Sequence, residues 1–295
     1  MPIRYYYLLL LLSLAASAQK NVFDPDFKRS AIKPSASFIV DGKIPEASGL
    51  VFWNDQLWTH NDGGHPATLF ALDPNTASVV KEYKLPGIRN RDFEELTQDS
   101  TYFYLGDIGN NLGDTDTLHI YRIDKKSLID SSKPNIEKLT FVWPETTNDG
   151  IKQKINFNCE AMVIINDLIY LFTKEHKTRC ETKIFSIPKR PGKYTAKYIR
   201  TLKTKILVTG AYYSNDPNTL TLLGYSLTLR PFLLVFSNFK DTDFFSGDAK
   251  KIKIKSRFRQ TEGIASDGND FFVISEYWNF WFVHSRGRLF KLKMD

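Results

Sequence analysis

The stretch Glu160-Ala161-Met162-Val163-Ile164-Ile165-Asn166-Asp167-Leu168-Ile169-Tyr170-Leu171-Phe172-Thr173 decides the fold. Two apolar runs rich in β-branched and aromatic residues flank Asn-Asp, a pair suited to a tight turn, so the segment reads as two antiparallel strands. The unit recurs along the chain. An acid opens an apolar strand at Glu46-Ala47-Ser48, Glu94-Glu95-Leu96 and Glu262-Gly263-Ile264, and a fifth copy without the acid reads Thr209-Gly210-Ala211. Second strands follow at Leu57-Trp58-Thr59, Phe103-Tyr104-Leu105, Leu220-Thr221-Leu222 and Phe271-Phe272-Val273. Repeats of this length belong to solenoids, propellers or arrays, and strand-only repeats select the propeller.

Four strands can be read in each unit except the last, which ends after Arg288–Lys293. A spare strand at Ser37–Asp41, ahead of the first unit, would pair with that last unit and close the ring. Closure removes the edges through which strands aggregate. The expectation is an all-β, five-bladed β-propeller of four-stranded blades in a single domain over residues 36–295, with 19–35 as a leader. The alternative, six blades, would need about forty more residues. Residues 145–157 and 238–249 read as a polar insertion and a long turn.

Arg4, the apolar run Tyr5 to Ala15 and the A-x-A site Ala16-Ser17-Ala18 form a secretory signal peptide over residues 1–18, too short to span a membrane. The expectation is an exported, periplasmic or extracellular protein with no transmembrane segment, acting as a monomer. The net charge is +7, and Lys alternates with Ile over residues 250–255, as on an outer strand with one wet face. No nucleic-acid motif is present. Of the two cysteines, Cys159 precedes Glu160 at the channel face of the third unit and Cys180 ends the loop between that unit's second and third strands, so both are expected on one face, where an exported protein could join them by a disulfide.

The first strand of each blade lines a propeller's channel, so Glu46, Glu94, Glu160, Thr209 and Glu262 are expected to ring one mouth. The loops after the second strands return to the same face with Asn61, Asp62, Asp107, Asn110, Asn111, Lys174, Tyr225 and Glu276. The turns at the other end look plain. Two roles fit such a ring. The acids could accept hydrogen bonds from neighbouring blades, or a subset (Glu46, Asn61, Asp107, Glu160 and Glu262) could hold Ca2+, which favours hard oxygen ligands. Asp107 to Asp114 fails the EF-hand pattern, because Leu112 stands where Gly is needed. His60 and His65 have no standard zinc spacing. No G-x-S-x-G occurs, and Ser48 with His60 and an acid is the one conceivable nucleophile set.

The motif set Glu46-Ala-Ser-Gly-Leu, His60-Asn-Asp-Gly-Gly, Asp92-Phe-Glu-Glu-Leu, Gly106-Asp-Ile-Gly-Asn-Asn and Thr209-Gly-Ala resembles a family of secreted bacterial β-propellers without an assigned activity. A Glu opening the inner strand is also distantly similar to the SMP-30/gluconolactonase and SdiA-regulated propellers. That likeness implies a divalent ion at the channel, with Glu46, Asn61 and Asp107 in the ligand roles. It departs from them in blade count, and Ala47-Ser48 stands where those proteins carry Gly-Pro. Two functions follow as expectations. One is a binding protein whose polar face takes a small molecule, glycan or protein. The other is a metal-dependent hydrolase of a lactone, ester or phosphoester, with Glu46, His60 or Glu160 as base.

Overall fold

A computed structural model describes residues 22–131, 133–148, 151–153, 156–175, 181–257, 259–280 and 283–293. Residues 1–18, where a signal peptide is expected, and Cys180 of the expected disulfide lie outside the described residues. Five sheets form a ring. Their innermost strands are Ala47–Trp53, Phe93–Gln98, Cys159–Ile165, Leu207–Ser214 and Thr261–Ser266, and each touches the next around the circle, the last closing on the first. The chain is a five-bladed β-propeller.

Within each blade, antiparallel pairing runs outward from the channel. In the third blade Ala161 faces Phe172 and Ile165 faces Leu168 across an Asn166-Asp167 turn, with Asn166 at φ 55°. In the first blade Asn54 and Asp55 both take positive φ, the type I′ geometry that matches strand twist. The sheets are apolar on both faces because each packs between two neighbours. The core is accordingly five wedges, one between each pair of blades. Leu69, Trp58, Phe93 and Phe103 fill the wedge between blades one and two, and Phe172, Leu222 and Phe236 fill the one between blades three and four.

The amino-terminal segment does more than lead into the ring. Val22–Phe23 pairs in parallel with the outer strand Lys197–Lys203 of blade three, and Lys28–Ile32 with Asp248–Ile254 of blade four. Ala36–Ile39 then pairs antiparallel with Arg288–Lys293 and closes blade five, as the spare strand predicted. The expected leader is therefore a strap of edge strands. Gly192–Thr195 caps blade two in the same parallel manner. These additions cover backbone groups that would otherwise face water or another chain. The Lys-Ile alternation of blade four behaves as read, with Ile252 and Ile254 buried. No described helix is long and apolar enough to cross a membrane, and the helix Lys125–Asp130 is a single short element.

Candidate site at the carboxylate-lined channel mouth

Every inner strand breaks register at one place: between Ser48 and Val51, Phe93 and Glu95, Cys159 and Ala161, Val208 and Gly210, and Thr261 and Gly263. A bulge releases one residue from the ladder and re-aims it. Matching the registers makes Ser48, Glu94, Glu160, Thr209 and Glu262 equivalent. The first blade thus contributes Ser48 to this ring, which corrects the expectation that Glu46 would do so. Glu46 lies two residues outside, with its side chain 49% exposed and its Oε2 2.7 Å from His65 Nε2. Ser48 Oγ donates to the Glu94 carbonyl at 2.7 Å, and Thr209 Oγ1 donates to the Thr261 carbonyl. These two hydroxyls tie adjacent blades together.

The residue after each bulge position is small in four blades: Gly49, Ala161, Gly210 and Gly263. In the second blade it is Glu95, fully buried. Glu95 Oε1 accepts from Leu96 N at 3.0 Å, and Oε2 accepts from Ala211 N at 3.0 Å, across the ring in blade four. Burial pushes its carboxyl well above the usual range, and the amides of Ala211, Leu96, Met162 and Leu50 pull against that. A group bonded to blades on opposite sides sits across the axis. The sequence reading singled out Glu94 and missed Glu95; four small residues at the matching position were the signal.

Above this plug the acids gather. Glu94, Glu160 and Glu262 are buried, and Lys174, its side chain 10% exposed, sits beside them with its ammonium in contact with Glu160 Oε2. Burial alone would lower the Lys174 ammonium, but Glu160, Glu262, Tyr225 and Glu94 around it hold it well above its usual range. Lys174 also lies 5.6 Å from the Tyr225 ring centre. Burial, with Glu160 and Asp62 nearby, pushes Glu94 well up. Burial does the same to Glu262, partly offset by Lys174. Asp62 and Glu276 are each pushed up to about 7, chiefly by burial and then by neighbouring acids, with Gly63 N lowering Asp62 and Lys174 lowering Glu276.

Several expected face residues serve the scaffold. Asn61 Oδ1 accepts from Glu46 N at 3.2 Å while its Nδ2 donates to the Lys43 carbonyl at 3.0 Å. Asp107 Oδ1 accepts from Asp92 N at 2.8 Å. Asn110 closes its own loop with Thr115, and Asn111 Oδ1 accepts from Asn158 Nδ2, which also donates to Glu160 Oε1 at 2.7 Å. The Ca2+ set implied by resemblance therefore does not fit: Asn61 is committed to backbone, Asp107 to the Asp92 amide, and Glu46 to His65 outside the buried ring. The nucleophile set does not assemble either. Ser48 is committed to Glu94, while His60 is fully buried, bonded through Nδ1 to the Asn61 carbonyl and pushed down to about 4 by burial. Cys159 is a free, buried thiol facing the carbonyls of Ala161 and Phe172.

The opposite mouth is not plain. It holds a cavity of about 380 Å3 with Phe52, Trp53, Gln98, Lys125 and Tyr212 in its walls. Lys125 Nζ donates to the Asp99 carbonyl at 2.6 Å, and burial lowers its ammonium to about 8.

No family model and no curated protein matches this chain. The resemblance to the SMP-30 and SdiA-regulated groups gains no support from these comparisons. Solved structures with a similar arrangement include a chain of a mitotic checkpoint complex, at 9% identity and a TM-score of 0.45, covering 100% of this chain and 99% of that one. Drosophila semaphorin 1a domains 1–2 match at 7% identity and a TM-score of 0.41, over 88% of each chain. Kuenenia stuttgartiensis hydrazine synthase matches at 12% identity and a TM-score of 0.38, over 80% of this chain and 57% of its own.

Proposed function

We propose that the protein is an exported binding protein that takes a positively charged group into the acidic mouth of its channel. One observation carries this reading. Asp62, Asp92, Glu94, Glu160, Glu262 and Glu276 share their fields, while among the described residues Lys174 is the one ammonium set among them and Arg91 lies at the rim. Buried carboxylates without matching cations either bind protons or wait for a partner. A ligand ammonium or guanidinium supplies that partner through charge-assisted hydrogen bonds. Export rests on the signal segment, Arg4 through Ala18.

Calorimetry with glucosamine, spermidine and a lysine-rich tripeptide tests it. Binding of at least one probe is expected, weakened about tenfold by Glu276→Gln, the cost of one charge-assisted contact. No heat from any of the three overturns the reading. The hydrolase alternative draws on the same carboxylates but finds its bases occupied: Glu160 faces Lys174 and Asn158, and His60 is sealed in the core. Turnover of an ester or lactone that Glu160→Gln abolishes would favour it instead.

A further inference from the structure

Asp62 follows the second strand of blade one, Asp92 precedes the inner strand of blade two, and Glu94 is that strand's bulge residue. One carboxylate oxygen from each lies within 4.8 Å of the other two. Two glycines permit this convergence. A Cβ on Gly109 would overlap both Asp92 Oδ2 and Glu94 Oε1, so those oxygens meet against the same bare backbone. A Cβ on Gly63 would press on the Arg91 carbonyl and Asp92 Oδ1. The two loops are locked in place by Asn90, only 5% exposed, whose Nδ2 donates to the carbonyls of Asn61 and Asp62 at 3.1 and 2.7 Å. Asn90 Oδ1 accepts from Phe93 N at 3.0 Å, so one side chain fixes all three acids in a single frame.

A second, independent feature points to a ligand. Glu94 is 3% exposed, and its Oε1 has no hydrogen-bond partner among the described residues. An orphaned carboxylate oxygen at this depth is costly unless something coordinates it. Arg91 does not fill that role. Its guanidinium is 3.8 Å from Asp92 Oδ2, and its donors go to the carbonyls of Gly109 and Asp107.

We infer that Asp62, Asp92 and Glu94 form a divalent-cation site of the Ca2+ class. Oxygen ligands held about 2.4 Å from one ion lie no more than about 4.8 Å apart, a limit that one oxygen from each of the three carboxylates meets. An all-carboxylate set selects hard cations over zinc or copper. A partly enclosed site made by two loops and a bulge suits the irregular shell of Ca2+ better than the octahedron of Mg2+. The inference rests on the reading of this mouth as a binding face for positive charge. It assigns the cation to residues other than those used for the amine test, so Glu276→Gln leaves it intact.

Calorimetry of chelator-treated full-length protein with Ca2+ alone, then Mg2+, provides the test. One Ca2+ per chain is expected, with a dissociation constant of about 0.1 mM or tighter and weaker Mg2+ binding. Glu94→Gln should weaken Ca2+ at least tenfold while circular dichroism stays unchanged. Should Glu94→Gln fail to fold, Asp92→Asn reads the same contact from the loop. Glu82→Gln, on the outer strand of blade one beside Lys43, should bind as wild type. No Ca2+ binding up to 5 mM, or binding that survives both Glu94→Gln and Asp92→Asn, overturns the assignment.

Discussion

Glu95 shows why a bulge hides a residue's role from its sequence. Alternation places neighbours in a strand on opposite faces, so Glu94 and Glu95 could not both be given the channel. The register shift between Phe93 and Glu95 breaks that alternation, sending Glu94 to the mouth and Glu95 across the axis. The same effect misplaced the first copy. The acid at Glu46 matched the others by letter, while the bulge falls on Ser48-Gly49-Leu50. The identities of Lys174, Tyr225 and Glu276 at the mouth were legible, because the end of a second strand is readable from its apolar run. Asp92 was not, since it lies in the loop before a strand and reaches the site through the closeness of Gly63 and Gly109. A direct consequence concerns Glu95. Replacing it with Gln turns one acceptor into a donor that faces backbone amides, so Glu95→Gln should lose about 2–4 kcal/mol of stability in urea titrations. Retained wild-type stability would mean that the carboxylate does not hold the inner strands.

At the scale of elements, the strand periodicity and turn chemistry made four-stranded units readable, and the missing outer strand of the last unit identified its closing partner. The parallel strap could not be read the same way. Lys28–Ile32 is short, mostly exposed and without strong alternation, and its pairing depends on the edge it meets. Phe27 near Phe236 and Phe23 near Phe245 anchor it through ring contacts at 6.0 and 4.9 Å. A protein starting at Ser35 should keep a closed ring yet lose about 2–4 kcal/mol through those partly buried rings. It should also self-associate through the newly bared edges in sedimentation experiments. A protein starting at Gly42 loses the closing strand Ala36–Ile39 and should show no cooperative unfolding transition. Equal stability of both truncations would contradict the closure.

For the whole molecule, the acids at the mouth set how stability responds to pH. Asp62 and Glu276 have folded values raised to about 7, while the unfolded chain releases those protons near 4. The folded state therefore holds more protons, and its stability falls as pH rises through about 7. His60 works in the opposite sense. Its folded value is lowered to about 4, so its contribution is lost as pH falls from 6.5 toward 4 and is complete above 6.5. Between pH 6.5 and 7.5 the acids act without that counterweight. Chelator-treated protein should lose about 3–6 °C of Tm across this interval. Lys174→Met should steepen the fall by removing the ammonium that offsets Glu160 and Glu262. A Tm that rises over the same interval would contradict the charge balance described for the mouth.

The positive charge proposed for this mouth would be held by the acids that two loops and a bulge bring together. Anomalous diffraction from crystals soaked in terbium, a Ca2+ analogue, would locate it. One strong peak bridged by the carboxylates of Asp62, Asp92 and Glu94 is expected. A map without a peak at the mouth, with the three carboxyls hydrogen-bonded to one another, would contradict it.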